Sequence, residues 1–77
     1  MNNREDLQTW VLDAVIESGG EASVLDVAKK IWTSHETELR CSGDLFFTWQ
    51  YDMRWAAQKL RASGKLTLNG RKWSVMP

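Results

Sequence analysis

Residues 65–75, KLTLNGRKWSV, constrain the fold more than any other stretch of the chain. Apolar and polar residues alternate on both sides of Asn69-Gly70, the strongest short-range signal for two antiparallel strands joined by a type I′ turn. A two-residue loop at that point pairs Leu68 with Arg71 and Leu66 with Trp73. It places Leu66, Leu68, Trp73 and Val75 on one face, with Lys65, Thr67, Lys72 and Ser74 on the other. Two strands alone are marginal in water, so the apolar face must lie on something else. The rest of the chain has to supply helices to cover it, leaving Lys65, Lys72 and the tip, residues 69–71, in solvent.

Three helical patterns precede the hairpin. In residues 4–18, Leu7, Trp10, Val11, Ala14 and Val15 recur at helical spacing. Asn3 is placed to cap that helix, Glu5 and Asp6 suit its first turn, and Gly19-Gly20 ends it. Glu21, Ala22 and Ser23 have the length of a minimal strand. Ser23 followed by Asp26 starts a second helix, expected over residues 24–34. Val24, Val27, Ala28 and Ile31 form its buried stripe, Lys29 and Lys30 point outward, and Trp32 closes the core from the side. Residues 35–44, HETELRCSGD, are polar apart from Leu39 and read as a loop with room for one helical turn over 36–40. A third helix is expected over residues 46–63, stopped by Gly64. Its core stripe is Phe46, Trp49, Met53, Ala56 and Leu60, at intervals of 3, 4, 3 and 4. Gln50, Arg54 and Arg61 flank that stripe, with Tyr51 and Gln58 beside them. Trp55 lies nearly opposite Met53, so the core cannot readily claim both.

The formal net charge is zero, but its distribution is uneven. Residues 1–49 hold four basic and nine acidic side chains, whereas residues 50–77 hold six basic side chains against Asp52 alone. That asymmetry points to a side that faces a polyanion and a side that solvates the domain.

A chain of 77 residues with 43% hydrophobic content and five tryptophans makes one small domain with one core. A single cysteine, Cys41, forms no internal disulfide and fits a reducing compartment. No apolar run reaches the ~20 residues that span a bilayer, and MNNREDLQ has no signal-peptide character, so a cytoplasmic protein without a membrane partner is expected. Enzymatic chemistry has little to work with. One histidine and one cysteine, His35 and Cys41, lie in the expected loop with no orienting third group. Structural zinc takes four Cys or His ligands and two are present, so neither a metal nor another cofactor is expected. Asp13 and Glu17 read as a solvated acidic face, and Gly19-Gly20 follows a helix rather than a strand, so it is a cap and not a phosphate loop. Trp10, Trp49 and Trp73 lie on apolar faces and are core residues rather than stacking platforms for single-stranded bases.

Three helices followed by a hairpin, with a short strand between the first two helices, is the order of an α+β winged helix-turn-helix. The run from Leu12 to Val75 also resembles the N-terminal winged-helix domain of Mrr-type restriction endonucleases. The likeness is carried by GGEAS after the first helix, RWAAQKLRASGKL across the third helix and its exit, and GRKWSV on the return strand. The resemblance implies a DNA-binding module. In Mrr-type proteins the nuclease is a separate domain, and this sequence ends at Pro77, two residues past the wing, so nuclease activity is not carried over.

The sequence therefore leads to non-catalytic binding of duplex DNA. The expected contacts are Gln50, Arg54, Gln58 and Arg61 from the third helix and Lys65, Arg71 and Lys72 from the wing, with Gln50 and Arg54 nearest the base edges. The alternative is a protein-interaction or dimerisation module that uses Trp55, Tyr51 and the acidic face of the first helix. No small-molecule substrate is implied by either.

Overall fold

The structure, a computed structural model, describes residues 4–75. Its order is α1 (Asp6–Glu17), β1 (Glu21–Ser23), α2 (Val24–Arg40), α3 (Leu45–Ala62), β2 (Leu66–Asn69) and β3 (Lys72–Val75). The fold is α+β: three helices and a three-stranded antiparallel sheet in the order β1-β3-β2. Asn3, expected to cap α1, lies outside the described residues.

The helices pack as their apolar spacing requires. Leu7, Trp10, Val11, Ala14 and Val15 of α1, Val27 and Ile31 of α2, and Trp49, Met53, Ala56 and Leu60 of α3 share one buried cluster. Ala57 joins them, and the inner sheet face closes the cluster with Ala22, Leu66 and Trp73. Among the described residues, no buried side-chain nitrogen or oxygen lacks a hydrogen-bond partner. The Ser23 side chain caps α2 by accepting a hydrogen bond from the Asp26 amide at 3.1 Å.

Three expectations change. First, α2 does not stop at Ser34: the helical turn for which residues 36–40 left room continues the helix to Arg40, and only residues 41–44 are non-helical. The run breaks its geometry only at His35, with φ −130° and ψ 20°. His35 stacks on Trp10 at 4.0 Å between ring centroids, and its Nδ1 lies 2.8 Å from Glu38 Oε1. The break turns the final turn of α2 so that Leu39 is fully buried, which is why one apolar residue in a polar stretch suffices to hold it. Second, α3 begins at Leu45, which takes the first core position, while Phe46 is half-buried at the side, 6.3 Å from Trp32. Asp52, the one acid of the C-terminal half, is turned to the buried side and accepts a hydrogen bond from Thr48 Oγ1 at 2.7 Å.

Third, the hairpin register is shifted by two residues. Leu66 pairs with Val75, Leu68 with Trp73 and Asn69 with Lys72, so the connecting residues are Gly70 and Arg71 rather than Asn69 and Gly70. A type I′ turn needs positive φ at both central residues. Here only Gly70 has it, at +66°, the pattern of a type II′ turn with glycine first. Asn69 stays extended as the last residue of β2. Because the slip is two residues, the faces keep their composition.

Candidate nucleic-acid interface

The exit of α3 sets where the hairpin goes. The Gly64 amide donates to the Arg61 carbonyl at 3.1 Å and the Lys65 amide to the Leu60 carbonyl at 2.9 Å, with Gly64 at φ +79°. This is the double hydrogen bond of a Schellman stop, and it needs a residue that accepts positive φ. The chain reverses, and the Gly70-Arg71 turn comes to lie beside the C-terminal half of α3.

The result is a groove of about 400 Å³ between α3 and the hairpin. Arg54, Gln58 and Arg61 line it from α3, and Gly70 and Arg71 from the turn. Its apolar wall is Val24, Ala57, Leu68 and Trp73, and no acidic residue lines it. Leu68, expected to be covered by the helices, is instead 46% exposed because it overhangs this groove.

The arginines of the groove are unengaged. Lys30, Arg40 and Lys72 form ion pairs with Glu17, Glu36 and Glu21, and Arg4 and Lys59 lie over the Trp55 ring. Arg54, Arg61 and Arg71 are exposed and make no ion pair or side-chain hydrogen bond with another described residue. Three guanidinium-bearing side chains around one groove with no carboxylate in its lining favour an anion there. Guanidinium also matches phosphate bidentately, which makes arginine the suited cation for that role.

The other expected contacts lie elsewhere. Gln50 lines a second groove, of about 450 Å³, between α2 and α3, together with Leu25, Ala28, Lys29, Trp32, Phe46 and Trp49. Lys65 is carried past the Schellman stop to the α1 side, where it lines a crevice with Glu5, Gln8 and Thr9. Lys72 alternates to the outer sheet face, with its Nζ 3.7 Å from Glu21 Oε1. The same Glu21 carboxylate accepts from Asn69 Nδ2 at 3.1 Å and Ser74 Oγ at 3.0 Å, so Lys72 belongs to a polar knot that holds β1 against the hairpin.

Trp55 is half-buried against the core, with Arg4 Cζ 4.4 Å and Lys59 Nζ 5.6 Å from its ring centroid. The ring is thus flanked by cations of its own chain. Tyr51, in contrast, is 76% exposed, and Phe47, which sequence reasoning did not single out, is 82% exposed. Their spacing to Arg54, Gln58 and Arg61 was the signal that could have found Phe47: positions 47, 51, 54, 58 and 61 step by 4, 3, 4 and 3 along one side of α3.

Among the described residues, no group of three or more His, Cys, Asp and Glu side chains is arranged to hold a metal ion. No helix among them is long and apolar enough to cross a membrane. Comparison with protein-family models, with curated proteins and with solved structures finds no match.

Proposed function

We propose that this domain is a winged helix-turn-helix that binds duplex DNA through α3 and the hairpin, without chemistry of its own. The observation that carries the reading is the groove between those two elements, lined by Arg54, Arg61 and Arg71, none of them paired. In this reading α2 and α3 form the helix-turn-helix, α3 enters the major groove, and the hairpin is the wing on the adjoining phosphates. The likeness to the Mrr-type N-terminal module is part of the same proposal. Arg54, Arg61 and Arg71 grip phosphate, and Gln58 lies between the grip and the bases. Asp13 and Glu17 of α1 line a crevice beside α2, not the groove, and in this reading their charge orients the approach to DNA.

Fluorescence anisotropy of a labelled duplex across a series of salt concentrations tests this. Three phosphate contacts give a slope of log affinity against log salt near about −2.7, from ~0.9 per phosphate. A flat salt response, or no binding at 50 mM salt or below, overturns the reading. Loss of binding in Arg54→Ala with a slope flattened by ~0.9 supports it.

A further inference from the structure

The exposed side of α3 is not uniformly basic. Phe47 and Tyr51 occupy its N-terminal half at 82% and 76% exposure, in the same stripe that continues through Arg54, Gln58 and Arg61. Large aromatic rings held in water forgo the gain of burial, and two of them side by side mark a surface that something covers. Neither ring is needed by the core, because Leu45 and Trp49 fill the inward positions of the same turns. Continuity with the unpaired arginines identifies the covering surface: whatever meets Arg54 and Arg61 meets these rings as well.

We infer that Phe47 and Tyr51 read the 5-methyl groups of thymines in the major groove, so that the preferred duplex carries A·T pairs under the N-terminal half of α3. This rests on the duplex-binding reading above. The chemistry follows from what the major groove displays. Its base edges offer hydrogen-bond donors and acceptors everywhere except at the thymine methyl, the one apolar feature a ring can cover. The residues divide accordingly along α3. Arg61 and the hairpin turn lie at the C-terminal half, where phosphate contacts fix the position of the helix. The rings lie about 15 Å (Tyr51) and about 21 Å (Phe47) from Arg61, at 1.5 Å per residue, where the helix N-terminus reaches the bases. A phenyl ring offers phosphate nothing, and a thymine methyl gives it a partner that excludes water on both sides.

The test is a pair of 20-base-pair duplexes, alternating A·T and the same sequence with uracil in place of thymine, which removes only the methyls. The protein is expected to bind the thymine duplex about fourfold more tightly if one methyl is covered, and about fifteenfold if two are. Phe47→Ala with Tyr51→Ala, both exposed and so of little cost to the fold beyond Phe47's edge contact with Phe46 at 5.2 Å, lowers affinity for the thymine duplex and binds the two duplexes equally. Equal binding of both duplexes by the unaltered protein overturns the inference and leaves duplex binding standing. Failure to bind either duplex at low salt overturns both. An unchanged thymine preference in the double variant, together with a fall from dimer to monomer in light scattering, assigns the rings to a second copy of the chain and also overturns the inference.

Discussion

Arg71 and Lys72 are neighbours in sequence and opposites in place, and the contrast gives a sharp prediction. Arg71 sits at the hairpin turn in the groove with Arg54 and Arg61. Lys72 begins β3 with its side chain on the outer sheet face, 3.7 Å from the Glu21 carboxylate. A phosphate contact releases ~0.9 counterion, which is worth a factor of about 8 in affinity between 1 M and 0.1 M salt. Arg71→Ala should therefore weaken duplex binding about eightfold at 0.1 M salt and flatten the slope by ~0.9. Lys72→Ala removes a cation already compensated by Glu21. It should change affinity by less than about twofold and leave the slope unaltered, since no counterion is released at that site. Its cost is a solvent-exposed ion pair, worth ~0–1 kcal/mol of stability. The assay is anisotropy of one labelled duplex from 50 to 300 mM salt with both variants. Equal losses in the two variants, or an unchanged slope in Arg71→Ala, would refute the placement of the phosphate grip at the turn.

Other perturbations test the fold beneath the site. Leu39→Ala should cost about 2–5 kcal/mol in urea denaturation, because the side chain is fully buried. For a chain of this length that is a large part of the whole, and a loss under about 1 kcal/mol would mean residues 36–40 do not pack as described. Gly70→Ala should lower stability by about 1–2 kcal/mol and the melting midpoint by several degrees, whereas Gly70→Asn should cost less, since asparagine tolerates positive φ. Equal costs for the two would argue against a left-handed turn residue. Trp55→Ala should destabilise by roughly 1–3 kcal/mol, a part of the full burial cost, while Tyr51→Ala stays within about 0.5 kcal/mol. The reverse order would make Trp55 a contact residue rather than a packed one.

The helical faces were legible because burial imposes a period of 3.6 on any helix that packs on one side. Leu7 to Val15 of α1 and Trp49 to Leu60 of α3 needed only that spacing. The strand faces were legible for the same reason at period 2, and they survive the register slip because it is even. The turn itself was not. Asn69-Gly70 and Gly70-Arg71 both offer one glycine to a two-residue loop, and the choice depends on β2 keeping Asn69 extended, where its amide bonds Glu21, 48 residues away. The continuation of α2 past Ser34 was obscured by polarity, since the packing that holds residues 35–40 in the helix comes from Leu39 and from His35 on Trp10. At the site, spacing on α3 located Arg54, Gln58 and Arg61, but a helical wheel does not show what crosses above it. Which of Lys65, Arg71 and Lys72 faces that surface is decided by the Schellman stop at Gly64 and by the register, both tertiary outcomes. Phe47 was missed because an apolar residue next to the core stripe at Phe46 was not weighed as a surface residue, and the structure places it at 82% exposure.

The central claim is that α3 and the hairpin meet duplex DNA together, with the arginines of the groove between them on its phosphates. Chemical-shift mapping on a labelled sample, with a 20-base-pair duplex added in steps, tests it most directly. The account predicts that the largest shifts fall on the side-chain Nε signals of Arg54, Arg61 and Arg71, the Gln58 amide, and the backbone amides of Leu68 and Gly70. Those of Lys65, Asp13 and Glu17 should stay in place. Shifts centred on α1 and Lys65, or none at Arg71, would contradict it.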